Sequence, residues 1–574
     1  MSKFLKRGGV TLAAVALATT ALTACGSSDS SDGGGTDDSS SGTKGGELTY
    51  LLATPIGHLD PQRIYVGRDI INVKRTVYRT WLAYGLGEDA SDPIPDIATD
   101  TGTVSEDAKT WSFTVRDGVT WQDGSDVTCE DFAYGFSRNF ASDVITGGPS
   151  NYPISYLDLG GVKYPGPYTA TADQQAAYDK AVSCDGNTIT YHFKNPWPDF
   201  GQAVASLNFA DPYKKDQDQG DKSNFSIFSN GPYKLDGTWD ENTGGTLVRN
   251  TEYDASSDPT DARGALPDTI KFSIGTEPEA IIDEIANGAS EGETAVTGTR
   301  IQPQQLATVK STASDRYKQV TSPYYDYLWL NVKRLDLPVR QAILAATNDD
   351  AWITAGGGKD FYQPVDSIIP TTLGAYKKNE SFADLGAGDT DKAKQILTDA
   401  GVTMPYPLTF TFDGSSETGK NQAAALKDTF DQAGFKVTLN PLTDAYYPTI
   451  QDPESKTDIG WAGWGADWPS ALTILPPLFD GSVNLIDPAS NQNDYGNYNS
   501  DEFNALVAKA QAATTTDEQD DLMSQADALL GKDVAYIPLE NSLFNWTWGP
   551  KVTGFTTTFA SNGFPDLGAI GVKQ

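Results

Sequence analysis

WSFTVRDGVTWQDGSDVTCEDFAYGFSR (111–138) contains the clearest local pattern in this chain. Apolar and polar side chains alternate over 111–116, which predicts a strand with one buried face. Asp117-Gly118 is a strong hairpin signal, and 119–121 is predicted to return as the second strand. The first part of the stretch therefore predicts a β-hairpin.

The second part of the same stretch predicts a capped helix. Thr128 has the side chain of a helix N-cap, and Asp131 follows three residues later. The apolar stripe expected on the buried face of this helix consists of Phe132, Phe136 and Phe140. Strand, turn and helix form a structural unit, and nothing in it indicates catalysis.

The N-terminus predicts export and lipidation. Residues 3–7 carry three basic side chains, an apolar run covers 10–22, and the run ends in Leu22-Thr23-Ala24-Cys25. A run this short is typical of a cleaved signal sequence rather than a membrane span. The ending resembles the bacterial lipobox, which implies that Cys25 is acylated and becomes the first residue of the mature chain. We expect an extracytoplasmic protein that contacts the cell membrane through its lipid anchor only.

Composition limits the remaining possibilities. We expect residues 1–24 to be the signal peptide and 25–46, rich in Gly, Ser and Asp, to be a disordered tether. The chain of 574 residues is too long for one compact core, so two or three lobes are expected. A formal net charge of −35 argues against nucleic acid or anionic lipid as a partner, because both require a basic surface.

The cysteine count predicts one disulfide. Once Cys25 is lipidated, Cys129 and Cys184 remain. An even number of cysteines in an oxidising compartment favours a bridge over two buried free thiols.

Catalysis and metal binding are disfavoured by the residues available. His58 and His192 are the two histidines, and neither lies near a Cys, His or Glu cluster. A hydrolase base, a metal site or another cofactor site is therefore not expected. The Gly-rich stretch 356–360 lacks the spacing of a phosphate loop, and 491–502 has a poor ligand set for an EF-hand, so both are predicted to be loops.

The second half of the chain predicts alternating helices and strands. Thr390 is predicted to cap a helix that ends at Gly401, and a strand over 408–412, a helix over 420–433 and a strand over 435–439 follow. Two further helices are predicted near 500–510 and 516–529. This alternation with short connections indicates an α/β lobe.

Seven sequence blocks, in order, resemble the family 5 extracellular solute-binding proteins, the dipeptide- and oligopeptide-binding components of ABC importers. The resemblance covers the chain from about residue 47 to its end. The blocks are 111–138 together with Leu59-Asp60-Pro61, Asn230–Leu235, Leu328–Val332, Val339–Ile343, Gly463–Trp468 and Ala535–Leu539.

The resemblance implies an α/β, periplasmic-binding-protein-like fold with two lobes joined by a hinge. Lobe I would comprise 47–80, 224–300 and 545–574, with an extra subdomain at 81–223, and lobe II would comprise 301–544. It also implies a monomer without a cofactor that captures short peptides by hinge closure and delivers them to an ABC permease. A binder of another solute, such as an oligosaccharide, and a peptide-sensing receptor of the same fold remain open.

The same resemblance implies where the ligand binds. In peptide-binding members, the Asp that corresponds to Asp467 holds the α-ammonium group of the ligand. Spacing alone instead favours Asp467 as the cap of a helix after Pro469. The neighbouring residues expected to contact the ligand are Trp461, Gly463, Trp464, Gly465 and Trp468. Trp461 stands where, as we align the two, an oligopeptide binder has Arg, so recognition of the carboxylate end of a peptide is not implied.

Two other segments complete the implied site. Tyr65, Val66 and Gly67 are expected to pair through their main chain with an extended ligand. Tyr152 is expected to cover the ligand from the subdomain. The structural alternatives are that residues 65–67 form a coil turn and that Tyr152 is a packed aromatic residue.

Overall fold

The computed structural model describes residues 42–87, 90–258 and 262–574. The predicted signal peptide, the lipidated Cys25 and most of the tether lie outside these ranges. All described residues belong to one compact unit.

The structure contains nineteen strands in the described ranges. They are β1 Glu47–Leu52, β2 Leu82–Tyr84, β3 Pro93–Pro95, β4 Thr103–Val104, β5 Thr110–Thr114, β6 Val182–Asp185, β7 Thr188–His192, β8 Tyr233–Asp240, β9 Gly244–Arg249, β10 Thr269–Ile274, β11 Ala295–Thr297, β12 Tyr317–Leu330, β13 Tyr362–Pro364, β14 Tyr406–Asp413, β15 Phe435–Leu442, β16 Ile459–Gly465, β17 Tyr536–Thr547, β18 Val552–Thr553 and β19 Gly571–Val572.

Sixteen α-helices occur in the same ranges. They are α1 Gly67–Thr76, α2 Cys129–Arg138, α3 Asn151–Tyr156, α4 Ala172–Ala181, α5 Phe200–Ser206, α6 Pro278–Asn287, α7 Pro303–Thr312, α8 Leu337–Ala346, α9 Asp349–Ala355, α10 Thr390–Asp399, α11 Glu417–Gln432, α12 Tyr446–Ile450, α13 Leu475–Phe479, α14 Gly481–Asn484, α15 Asp501–Ala512 and α16 Thr516–Asp533.

Three large sheets organise these elements. A five-stranded sheet has the order β11-β1-β10-β9-β8, and a four-stranded sheet has the order β4-β5-β7-β6. One hydrophobic core contains residues of both, including Tyr50 of β1 and Phe113 of β5. We call these two sheets with their common core the first part of the molecule. The segment predicted as an extra subdomain therefore shares its core with the first sheet.

The second part is the six-stranded sheet with the order β13-β17-β12-β16-β14-β15. Tyr327 and Trp329 of its long strand β12 belong to the core on one face, and Leu328 and Leu330 belong to the core on the other. Successive side chains of a strand point to opposite faces, so β12 is buried on both sides. The mixed α/β architecture agrees with the predicted fold class, and the lobe boundaries stay a prediction.

The predicted hairpin at Asp117-Gly118 is wrong, although a turn is present. Gly118 has a positive φ of 82°. β5 pairs on one side with β4 and on the other with β7, so the chain that follows has no free edge to pair with. Thr120 instead bridges Asp126 across the next turn. β4 and β7 therefore occupy both edges of β5, with which the predicted second strand would have had to pair.

The helix predicted from the same stretch is confirmed. The Thr128 side chain accepts a hydrogen bond from the Asp131 N–H, and the Asp131 side chain accepts one from the Thr128 N–H, which completes a capping box. Phe132 and Phe136 are fully buried, and Phe140 is 7% exposed just beyond the helix. The apolar stripe thus faces the core of the first part.

A buried ion pair holds α2 against the chain after β1. Arg138, the last residue of α2, is bound to Asp60 through two hydrogen bonds, and its Nε lies 2.9 Å from Asp218 Oδ2. Arg138 and Asp60 are both completely buried. Buried charges are costly without partners, so these contacts disfavour other arrangements of the segments.

The elements predicted in the second half are confirmed with shifted ends. α10, β14, α11 and β15 occur in the predicted order. The cap of α10 is Asp389, one residue before the predicted Thr390, because the Asp389 side chain accepts a hydrogen bond from the Lys392 N–H. α15 and α16 occupy the last two predicted helical segments.

A disulfide joins Cys129, the first residue of α2, to Cys184 on β6, with Cα atoms 5.9 Å apart. The bridge closes a loop with a sequence separation of 55 residues. It connects the helix and the four-stranded sheet that flank the same core.

Removing this bridge should destabilise the protein. Replacing both Cys129 and Cys184 by Ala should lower the free energy of unfolding by about 2–4 kcal/mol, because the unfolded chain gains the entropy that the closed loop denies it. Urea unfolding of the oxidised protein and of the double variant measures this difference. Equal stability of the two, or two free thiols in the denatured unreduced protein, would contradict the prediction.

Candidate ligand cleft

Asp467 lies in the loop that leaves β16, where the second part faces the first. Its carboxylate Oδ2 accepts a hydrogen bond from the Tyr65 hydroxyl at 2.7 Å and another from the Tyr152 hydroxyl. Its main-chain N–H donates to Thr473 Oγ1 at 3.1 Å. No described Lys or Arg forms an ion pair with this carboxylate, and Oδ1 accepts no hydrogen bond from the described residues.

This environment disfavours the charged form of Asp467. Burial raises the pKa of its carboxyl from 3.8 to about 6, and the hydrogen bonds from Tyr152 and Tyr65 oppose that rise. Burial and the adjacent carboxylate both raise the pKa of Tyr65 and of Tyr152, so each phenol remains a donor. The site therefore holds an acidic group that a nearby cation would stabilise.

The interpretation of Asp467 as a helix cap is wrong. The next element is a short 3₁₀ turn over Ala471–Thr473, whose N-cap position is Ser470, and it has no side-chain cap. The Asp467 carboxylate points instead across the cleft at two tyrosines.

Strand β16 presents a free edge beside Asp467. β16 pairs with β12 along its whole length, but its register with β14 covers only Ile459 and Gly460. From Trp461 to Gly465 the second edge has no strand partner among the described residues. Unpaired strand edges offer main-chain donors and acceptors to an extended chain.

Glycine is needed at positions 463 and 465 because neighbouring side chains approach the backbone closely there. A Cβ at Gly463 would lie 2.3 Å from Asp326 Oδ1, and one at Gly465 would lie 2.8 Å from the Tyr324 ring. Gly463 is exposed and Gly465 is half-buried, so the backbone of this edge remains accessible.

Two cavities adjoin Asp467 and share several lining residues. One, of about 460 Å³, is lined by residues that include Tyr84, Thr371 and Thr557. The other, of about 200 Å³, is lined by residues that include Tyr65 and Gly463. Residues of both parts line both cavities, namely Ser206, Pro323, Ala466, Asp467 and Asn562. The space therefore lies between the two parts.

The indoles near Asp467 have separate positions. The Trp464 Nε1–H donates to the Thr473 carbonyl at 2.8 Å, and the ring is half-buried. Trp461 packs against Trp352, with ring centroids 6.2 Å apart. Trp468 is only 3% exposed, so its side chain offers a ligand almost no surface in this structure. This placement does not support the predicted ligand contact of Trp468.

The predicted main-chain pairing at Tyr65, Val66 and Gly67 also differs from the structure. Helix α1 begins at Gly67, and the Val66 carbonyl already accepts hydrogen bonds from the Asp69 and Ile70 N–H groups. The Tyr65 side chain, 37% exposed, provides the contact to Asp467 instead. Tyr152 lies at the cleft and reaches the same carboxylate, and its contact with a ligand stays a prediction.

A model of the bacterial extracellular solute-binding proteins, family 5 Middle, matches residues 92–485. The chain belongs to this family. Family 5 proteins are the extracellular binding components of ABC importers and are not enzymes, so this chain is a solute-binding protein that works outside the cytoplasm.

Relatives and solved structures agree with this assignment. The chain is 24% identical over 509 residues to the periplasmic oligopeptide-binding protein OppA of Salmonella typhimurium, covering 87% of each. It superimposes on clavulanic acid biosynthesis oligopeptide binding protein 2 with a TM-score of 0.82 and 24% identity, covering 93% and 96% of the chains. The DppA of Helicobacter pylori in complex with peptide STSA gives a TM-score of 0.68 and 19% identity, covering 93% and 99%. These structural matches show the same fold, which confirms the predicted class.

Other sites are not indicated in this solute-binding protein. Among residues 42–87, 90–258 and 262–574, no group of three or more His, Cys, Asp or Glu side chains is arranged to hold a metal ion. In the same ranges, no helix is long and apolar enough to cross a membrane.

The sequence did not indicate four residues around the cleft. Ser206, Tyr324 and Asn562 line the smaller cavity, and Asp326 of β12 lies beside Gly463. Asp326 offered one usable signal, since a carboxylate within an aromatic strand segment is unusual unless it has a role. The other three gave no signal, because their sequence positions are remote from the 463–468 block.

The titration of Asp467 predicts a pH-dependent difference in stability. The folded protein binds the Asp467 proton more tightly than the unfolded chain, with a pKa of about 6 against 3.8. Wild-type stability therefore falls as pH rises through this window, whereas the Asn variant has no such proton. Asp467→Asn should gain stability relative to wild type between pH 4 and pH 6. Urea unfolding of both ligand-free proteins across this range checks it, and a constant difference would contradict it.

Proposed function

We propose that this solute-binding protein captures short peptides in the cleft at Asp467 by closure of its two parts and delivers them to the permease of an ABC importer. The observation that carries the proposal is the Asp467 carboxylate, which is desolvated, accepts hydrogen bonds from two tyrosine hydroxyls and forms no ion pair with a described Lys or Arg. A peptide α-ammonium group supplies the missing positive charge, in a charge-assisted hydrogen bond.

The free edge of β16 supports an extended ligand. A peptide whose ammonium group lies at Asp467 would run along Gly465 and Gly463, where the strand has no second partner. Main-chain hydrogen bonds bind such a ligand without reading its side chains. The relatives support the same class, since OppA is named as an oligopeptide-binding protein and the DppA structure contains a peptide.

Closure follows from the position of the site between the parts. Tyr65 and Tyr152 belong to the first part, and Asp467 belongs to the second. A ligand that contacts both parts binds the closed arrangement more tightly than the open one and shifts the population toward it.

The N-terminal motif supports anchoring beside the permease. We infer that acylated Cys25 holds the protein at the outer face of the cell membrane and that the Gly/Ser/Asp segment acts as a flexible tether. A monomer on such a tether remains close to its permease while it binds solute.

Peptide binding should depend on the Asp467 charge and on a free ligand amine. Asp467→Asn should weaken binding of a short peptide by a few kcal/mol, because it leaves a buried ammonium without its partner. N-acetylation of the peptide should cost a similar amount in the wild type and little more in the variant, since both changes remove the same interaction. Isothermal titration calorimetry of the four combinations, using a defined peptide mixture, measures this coupling.

Asp527→Asn is the matched control. Asp527 is also buried, accepts a hydrogen bond from a tyrosine at 2.6 Å and has a pKa raised by burial to about 6, but it lies in the core of the second part. The Asp527→Asn variant should keep the wild-type discrimination between free and acetylated peptides. Equal binding of free and acetylated peptides by the wild type would exclude the ammonium contact and favour a neutral solute such as an oligosaccharide.

Anchoring should require Cys25. Cys25→Ser removes the thiol that is acylated, so the protein should appear in the medium or persist as an unprocessed precursor. Fractionation of cells that express each form, with mass spectrometry of the N-terminus, distinguishes these outcomes. A membrane-bound variant with a normally cleaved N-terminus would contradict the lipid anchor.

A further inference from the structure

Trp468 crosses from the second part into the core of the first. It is the only described residue between 301 and 544 whose side chain belongs to that core. Its ring packs edge-on against Tyr152, with centroids 4.6 Å apart, and lies 6.1 Å from the ring of Trp197. Its Nε1–H donates to Asp199 Oδ2 at 2.5 Å.

The Trp468 socket, formed by Tyr152, Trp197 and Asp199, is built for an indole. Asp199 is 4% exposed and forms no ion pair with any described Lys or Arg. Burial raises the pKa of Asp199, and the hydrogen bond from Trp468 opposes that rise. The aromatic walls accept the ring, and the carboxylate accepts its one polar atom. Withdrawing the indole would expose apolar surface and leave a buried carboxylate without this donor.

We propose that Trp468 is the latch of the cleft, a positioning residue whose insertion into the socket holds the two parts closed and fixes Asp467 between Tyr65 and Tyr152. Asp467 and Trp468 are adjacent in the short loop after β16, so the position of Trp468 is coupled to that of Asp467. Tyr152 serves both residues, since its ring contacts Trp468 and its hydroxyl donates to Asp467.

The latch makes closure partly independent of ligand. Opening the cleft requires the indole to leave the socket, so the contact favours the closed state before any solute binds. A ligand that binds only the closed state has an apparent affinity that increases with the fraction of the protein that is already closed. The effect of the latch on peptide binding rests on the proposed function, whereas its effect on closure of the ligand-free protein does not.

Small-angle X-ray scattering of the ligand-free protein tests the latch directly. Trp468→Ala should increase the radius of gyration relative to wild type, because the second part is released from the socket. Trp468→Phe keeps an aromatic ring and loses the N–H donor, so its increase should be smaller. Asp199→Asn retains an acceptor and should behave almost as wild type.

Trp121→Phe is the matched control for packing and hydrogen bonding. Trp121 is 1% exposed and its Nε1–H donates to Asp131 Oδ2 at 3.1 Å, but both residues belong to the first part. This variant should lower the melting temperature without changing the radius of gyration. Cooperative thermal unfolding of each variant confirms that it is folded.

Peptide kinetics provide the second readout. Trp468→Ala should raise the dissociation rate constant of a bound peptide by about tenfold, with a smaller rise for Trp468→Phe and none for Trp121→Phe. Identical ligand-free radii of gyration for the wild type and Trp468→Ala would overturn the latch. A wild type that binds no peptide would overturn the proposed function alone, since the scattering comparison needs no ligand.

Discussion

The desolvation of one carboxylate, that of Asp467, is the constraint on which the arrangement of the cleft depends. A charged group withdrawn from water must gain partners or lose its charge. Here two tyrosine hydroxyls from the first part satisfy one oxygen, no described Lys or Arg forms an ion pair with the carboxylate, and burial raises its pKa to about 6. The two parts are thereby held together by a contact that remains electrostatically incomplete. Under the proposed function, the ammonium group of a peptide would complete it, which would connect the geometry of the cleft to its selectivity.

The next residue shows how the same loop combines two kinds of interaction. Asp467 forms the polar contact and Trp468 forms the apolar one, and both reach Tyr152. Polar contacts that cross a cleft contribute selectivity, whereas burial of a large ring contributes free energy. Because the two lie on adjacent residues, one short loop brings both contacts to the first part.

Two contacts stabilise the part of the molecule that carries Tyr65 and Tyr152. The buried Arg138–Asp60 pair and the Cys129–Cys184 disulfide both join α2 to segments remote in sequence. Because the five-stranded and four-stranded sheets share one core, the chain at Tyr65 and the helix at Tyr152 move as parts of the same body. The hydroxyls of those tyrosines are therefore already positioned to donate to Asp467 before a ligand binds.

The sequence by itself determined the local elements and the family. The Thr128–Asp131 capping box, the stripe of phenylalanines in α2 and the alternation from α10 to β15 follow from short-range patterns, because caps and amphipathic faces depend on residues a few positions apart. The order of the motifs also led to the proposal that Asp467 binds the ligand. Only the tertiary structure decided that the turn at Gly118 makes no hairpin, that Val66 and Gly67 start a helix, and that Trp468 lies in a socket. The start of α1 rests on nearby hydrogen bonds to the Val66 carbonyl, which the sequence pattern did not reveal. The pairing of β5 with β7 and the burial of Trp468 depend on segments dozens to hundreds of residues away, and such contacts between remote segments are not encoded in local pattern.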